Sequence, residues 1–290
     1  MNHHEIILRV QDLETEFSTD DGKVKVLHGV SFDVKKGRTL GLVGESGSGK
    51  SVTAMSILGL LPQPYGRVTQ GKVLYRDTDL LGLSPNEMYA MRGNRISMIF
   101  QDPMTALNPV QTIGKQLNEV LALHRPELSK KERSQYSLEM LKKVQIPLAE
   151  KRLHEYPHNL SGGMRQRVMI AMALACKPDV LICDEPTTAL DVTIQAEILK
   201  LMKLLQAETG MAMIFITHDL GVVAEICDDV AVMYGGKVLE TADVFELFDS
   251  PQHPYTKRLM GLMPGLDRPG KQLIPFEPID PSLFPEFKES

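Results

Sequence analysis

Tryptophan is absent from this 290-residue chain, cysteine occurs three times, and aromatic residues make up only 6%. The three cysteines, Cys176, Cys183 and Cys227, form no C-x-x-C pair, and two of them sit in apolar runs. That spacing speaks against a thiolate metal or iron–sulfur site and fits buried free thiols in a reducing compartment. Positive charge is also scarce: 32 Lys and Arg stand against 37 Asp and Glu, a net charge of −5. Proteins that live on nucleic-acid backbones carry a basic excess, so this balance argues against a nucleic-acid partner. No long apolar run occurs. The longest, "VMIAMALAC" from Val168 to Cys176, falls well short of the roughly 20 residues needed to cross a bilayer. The start, "MNHHEIILRV", has neither the basic residues nor the apolar stretch of a secretory signal. A chain that does not span a membrane by itself is expected.

What is present reads as a globular α/β protein: 43% apolar and 24% charged residues, enough to bury a substantial core. "EIILRV" and "KVKVLHGVSFDV" are strand-like, separated by the turn "STDDGK". "TLGLV" is a continuous apolar run, as expected of a strand buried on both faces of a parallel sheet. Helical character follows in "SVTAMSILGLL", which stops before Pro62. "RISMIF", "DVLICD" and "MAMIFIT" are further strands, and "DVAVMYGGKVLET" reads as a hairpin turning at Gly235 and Gly236. From about Thr112 to Leu160 the chain is charged and helix-favouring. "SKKERSQYSLEMLKKV" opens with Ser129 and has Glu132 three residues on, a capping box. Six prolines between Pro264 and Pro285 predict an extended or disordered tail.

Between "TLGLV" and its helix stands "GESGSGKS", Gly44 to Ser51. Glycines let the backbone wrap closely enough for successive N–H groups to face a phosphate. Gly44, Ser46, Gly47, Ser48 and Gly49 would form that cradle, with Lys50 reaching the β and γ oxygens and Ser51 ligating Mg²⁺. A P-loop needs an acidic partner at the end of a second buried strand, and "VLICDE" supplies it. Asp184 would hold Mg²⁺ through water, and Glu185 would act as the general base on the attacking water. "LSGGMRQR", Leu160 to Arg167, sits shortly before that strand, with Ser161 placed to cap the helix it opens. A Ser-Gly-Gly helix start is a second phosphate-seeking N-terminus. One nucleotide needs one P-loop, so the second element points to a site shared between two copies.

"GESGSGKS", "LSGG", "VLICDEP", "TALD" and "THD", in this order in the chain with "LSGG" preceding "VLICDEP", resemble the nucleotide-binding subunit of an ABC transporter, over roughly residues 8 to 264. The resemblance implies a RecA-like P-loop core, here residues 1–101 and 165–245, with an N-terminal antiparallel β subdomain. It implies an inserted helical subdomain at 102–164 and a C-terminal extension at 246–290. It also implies roles. Gln101 in "FQDP" resembles the glutamine that senses the γ-phosphate and Mg²⁺ and links the site to membrane subunits. Ser161, Gly162 and Gly163 resemble the signature that contacts nucleotide on the opposite subunit, and Met164 replaces the family's usual glutamine. Asp191 resembles the aspartate at the dimer seam, His218 the histidine on the γ-phosphate, and Phe17 the aromatic that stacks on adenine.

"FQDPMTALNP" and "SPQHPYTKRLM" narrow the resemblance to the oligopeptide/dipeptide/nickel importer group. The group implies ATP and Mg²⁺, two integral membrane permease subunits, a second ATP-binding subunit in a head-to-tail dimer, and an extracytoplasmic solute-binding protein. It places the chain on the cytoplasmic face of the inner membrane. Some members carry a cysteine cluster in their proline-rich tail. Here "LIPFEPIDPSLFPEFKES" has no cysteine, so no iron–sulfur cluster is expected. An exporter ATPase, or a soluble ATPase of the same type acting on ribosomes or DNA, is the alternative reading.

Overall fold

The computed structural model describes residues 5–101, 106–188 and 190–261. The proline-rich tail and part of "FQDPMTALNP" lie outside the described residues. The chain opens with two long strands, β1 (Ile6–Thr19) and β2 (Gly22–Lys35), joined by a tight turn. After β3 (Thr39–Val43) and α1 (Lys50–Ile57) it returns as β4 (Gly66–Tyr75) and the short β5 (Thr78–Asp79). These strands form an antiparallel sheet ordered β2-β1-β4-β5. α2 (Pro85–Met91) and β6 (Ile96–Ile99) follow.

Among the described residues α3 (Ile113–His124), α4 (Lys130–Lys143) and α5 (Ala149–Arg152) come next. Ser129 and Glu132 close the expected capping box on α4. α6 (Gly162–Leu174) leads into β7 (Val180–Asp184), α7 (Val192–Thr209), β8 (Ala212–Thr217) and α8 (Leu220–Ile226). The hairpin of β9 (Asp229–Tyr234) and β10 (Lys237–Asp243) comes next, then α9 (Val244–Asp249) and α10 (Pro254–Gly261). The second sheet is ordered β10-β9-β3-β8-β7-β6. It is parallel except at β10.

β3, β7 and β8 are buried at every residue, as their unbroken apolar sequences require of strands covered on both faces. One face, carrying Leu40, Leu42, Ile182, Ile214 and Ile216, packs with α1 against the antiparallel sheet. The other, carrying Val43, Leu181, Cys183 and Phe215, packs against α6, α7 and α8. Gly41 lies on that second face, where a Cβ would sit 2.8 Å from Cys227 Sγ. The strand can therefore approach the end of α8 only without a side chain.

β1 runs past its predicted end at Val10, because it pairs with β2 out to Thr19 and Gly22 across several register shifts and with β4 as far as Phe17, whereas β2 matches its predicted span closely. All three cysteines are buried and free. Burial pushes each thiol above its ordinary range, most strongly at Cys183 and Cys227. A raised thiol pKa leaves the protonated, unreactive form at neutral pH. We therefore expect a disulfide reagent to label the native chain far more slowly than the denatured one, which should yield all three thiols. Fast labelling of native protein would contradict this packing.

Candidate nucleotide site

β3 ends at Val43 and the chain turns at once into the Gly44–Gly49 loop. Gly44 sits at φ 153°, where a Cβ would lie 2.1 Å from the Met233 carbonyl oxygen of β9. Gly49 sits at φ 101°, where a Cβ would lie 2.7 Å from Leu27. Both positions demand glycine, by conformation and by space. Ser46 and Gly47 form the exposed tip, while Ser48, Gly49 and Lys50 are buried. α1 starts at Lys50 from Gly49 with no side-chain cap. By contrast α2, α3, α4, α6, α7 and α8 each begin on a capping Ser, Thr or Asp. The first N–H groups of α1 are thus left for an outside acceptor, and the positive end of the helix favours an anion there.

Lys50 is only 6% exposed. Its ammonium donates to the carbonyl oxygens of Gly44 at 2.8 Å and Glu45 at 2.7 Å, and lies 3.3 Å from Ser48 Oγ. Burial lowers its pKa, opposed by the charges of Glu185, Asp184 and Glu45. Ser51 Oγ donates to Asp184 Oδ1 at 3.0 Å, bringing together two hard oxygens from α1 and the end of β7. Burial raises the Asp184 pKa and the neighbouring Glu185 charge adds to that, against the hydrogen bond from Ser51. This oxygen pair, desolvated and next to a second carboxylate, suits Mg²⁺.

Glu185 follows at φ 45°, a left-handed conformation rare for a residue with a side chain. Its Oε1 lies 3.0 Å from His218 Nδ1, just past β8. Its Oε2 accepts from Thr188 Oγ1 at 2.9 Å and Gln101 Nε2 at 3.2 Å. Burial works to raise its pKa, but the hydrogen bonds from His218 and Thr188, with the charges of His218 and Lys50, bring it below the usual glutamate range. Glu185 is therefore an ionised acceptor at neutral pH, aimed by three side chains. The structure brings Lys50, Ser51, Gln101, Asp184, Glu185 and His218 together from four separate parts of the chain.

Ser161, Gly162 and Gly163 lie elsewhere. Ser161 caps α6, its hydroxyl accepting the Met164 N–H at 3.3 Å, and is exposed. A Cβ on Gly163 would meet Ile194 of α7 at 2.8 Å, and one on Gly162 would meet Leu190 at 3.9 Å. Asp191 caps α7 at 3.0 Å from Ile194 N and is likewise exposed. Among the described residues, Ser161 and Asp191 make no hydrogen bond to the Gly44–Ser51 loop. Phe17 is half-buried on β1 and lies against Gly66 of β4, where a Cβ would meet its ring at 2.9 Å.

Two further side chains touch this site and were not picked out from the sequence. Thr188 holds Glu185, and its place in "EPTTALD" between two singled-out acids was a signal for it. Tyr255 of α10 accepts the Glu45 N–H at 3.2 Å, and nothing local to the loop points to a residue 210 positions away.

A buried strand, a glycine loop, an uncapped helix start and an Asp-Glu pair at the end of a second buried parallel strand define a P-loop nucleotide-binding protein. The family described as ABC transporter matches residues 27–188, and the chain belongs to it. It is 55% identical to the dipeptide transport ATP-binding protein DppD of Bacillus subtilis, over 97% of this chain and 83% of that one. It is 49% identical to the oligopeptide transport ATP-binding protein OppD of Salmonella typhimurium, over 96% of this chain and 82% of that one. Its fold is similar to a dimeric ATP-binding cassette solved in a post-hydrolysis state with ADP and Pi. That likeness has a TM-score of 0.72 at 29% identity and covers 82% of this chain and 98% of the other.

Gly44→Ala would force its methyl group onto the Met233 carbonyl. Overpacking of this kind costs about 1–3 kcal/mol. A lowered melting temperature and a loss of ATP binding by the full chain are expected. Normal values of both would contradict the packing of the loop.

Proposed function

We propose that this chain is the ATP-hydrolysing subunit of an importer that takes up oligopeptides or dipeptides. The observation that carries the proposal is the pairing of the Ser51–Asp184 oxygens with Glu185, ionised and held by Gln101, Thr188 and His218. The peptide-transport names of relatives about half identical along nearly the whole chain support the substrate class.

In this reading the Gly44–Gly49 backbone and the start of α1 hold the ATP phosphates. Lys50 leaves its own loop carbonyls for the β and γ oxygens. Ser51 and Asp184 hold Mg²⁺, which screens phosphate charge when bound, with Gln101 reaching toward it. Glu185 takes a proton from the attacking water, and His218 keeps its carboxylate oriented and charged. Phe17, half-buried on β1, stacks on adenine. On this reading residues 1–101 and 165–245 form the nucleotide core with its antiparallel sheet, 102–164 a helical insertion, and 246–290 a C-terminal extension.

Ser161, Gly162, Gly163 and Asp191 are exposed or half-exposed at helix starts that serve no nucleotide on this chain. They complete the site of a second ATP-binding subunit in a head-to-tail dimer. No helix among the described residues is long and apolar enough to cross a membrane. An apolar groove between the core and α3, lined by Leu58, Met98, Phe100, Leu123, Met169 and Met172, opens next to Gln101. Two membrane permease subunits dock on this groove and on its counterpart in the second ATP-binding subunit, and the chain works from the cytoplasmic face of the membrane. The extracytoplasmic binding protein acts through them.

Glu185→Gln keeps the shape of the side chain and removes the base. ATP binding should persist, with turnover in the assembled transporter falling by about 10²-fold or more. Turnover within about twofold of the native complex would remove Glu185 from this role.

A further inference from the structure

The nucleotide loop is also gripped on a side that hydrolysis does not use. Gly236, in the β9–β10 turn, donates its N–H to the Ser48 carbonyl at 3.0 Å. The Met233 carbonyl closes the space beside Gly44. The third hold comes from the "HPYT" segment. Tyr255 is 1% exposed, its ring 4.7 Å from that of Tyr234, and its hydroxyl accepts the Glu45 N–H at 3.2 Å. Burial keeps this phenol neutral, its pKa pushed up to about 12.

The Glu45 residue is thus held at both its backbone polar groups. Tyr255 takes its N–H, and Lys50 donates to its carbonyl at 2.7 Å. When Lys50 turns to phosphate, the carbonyl keeps the Ser48 N–H at 3.2 Å, and the Tyr255 bond to the Glu45 N–H remains. α10 is itself fixed from the sheet. The Glu240 carboxylate of β10 accepts the N–H of Gln252 at 2.7 Å and of His253 at 2.9 Å, just ahead of Tyr255. A continuous set of bonds therefore runs from β10 through α10 to the loop.

We propose that Tyr255 is a positioning residue for the nucleotide loop, its hydroxyl fixing the Glu45 backbone so that the seating of the C-terminal helix sets the ATP affinity of the chain. This rests on the reading of Gly44–Ser51 as the ATP site. A part-buried N–H held without its acceptor costs about 1 kcal/mol or more; the ATP-free loop can shift to relieve that cost and the loop closed on phosphate cannot, so ATP should be held about three- to tenfold less tightly without that hydroxyl.

Tyr255→Phe keeps the ring and deletes only the acceptor. We expect the ATP Kd of the full chain, and the KM of the assembled transporter, to rise about three- to tenfold while kcat stays within about twofold. The nucleotide-free melting temperature should stay near that of the native chain. A merely structural role would move the melting temperature and leave the KM-to-kcat split flat. Glu240→Ala, which frees the start of α10 without touching the loop, should shift Kd in the same direction. An unchanged Kd and KM in Tyr255→Phe, or a fall in kcat at constant KM, would overturn the role of Tyr255. An unchanged Kd in Glu240→Ala would overturn the link to the helix. Lys50→Ala, measured alongside, separates the two levels. Full ATP binding there would sink the ATP-site reading itself, whereas lost binding there with a native Tyr255→Phe sinks only this inference.

Discussion

A buried ammonium needs hydrogen-bond acceptors, and Lys50 has them only because the loop before it curls back to offer two carbonyls. That single requirement organises the surrounding structure. The loop can curl only with glycine at Gly44 and Gly49, because β9 and β2 occupy the space where side chains would stand. The strand that delivers it must be buried on both faces, so it lies between β8 and β9 with helices on one side and the antiparallel sheet on the other. The acids that balance the charge then arrive from the strand beyond β8: β7 ends on Asp184, and Glu185 follows it. The bonds Lys50 makes to its own loop are ones a phosphate can replace, which makes the same geometry a resting arrangement for a binding loop.

Two adjacent carboxylates in one site face opposite pressures. Asp184 is desolvated at the end of a buried strand, and its pKa rises. Glu185, one residue on, emerges into a set of donors that more than offsets its own burial, and its pKa falls. Environment has therefore assigned the roles. Asp184 gains most from a cation beside it, while Glu185 is ready as a charged acceptor without one. The left-handed backbone at Glu185 turns its carboxylate away from that of Asp184 and toward Gln101, Thr188 and His218.

Much of this was legible in the sequence because it is local. "TLGLV", "DVLICD" and "MAMIFIT" are polar only at their ends, and strands covered on both faces are what tolerate that in so short a run. The Ser129–Glu132 box and the Ser161 cap are written within four residues. β4 was not anticipated. Its alternation is interrupted where Gly71, at φ 104°, lets a bulge of β1 approach, with Asp12 carbonyl oxygen 2.6 Å from where a Cβ would be. The outer half of β1 was missed for a similar reason: register shifts against β2 and β4 break its alternation. Tyr255 was visible as part of a motif but not as a neighbour of Glu45, since only the path of β9, β10 and α10 brings it there.

On the proposed reading, the two helix starts, one beside the acids and one remote from them, would give half of a site and half of its counterpart. Ser161→Arg tests that division most directly. The full chain alone should bind ATP with its native Kd, since Ser161 makes no hydrogen bond to its own loop among the described residues. The assembled transporter carrying the same substitution should lose turnover at the site this residue completes on the partner. A weakened Kd in the isolated chain, or native turnover in the complex, would contradict the shared site.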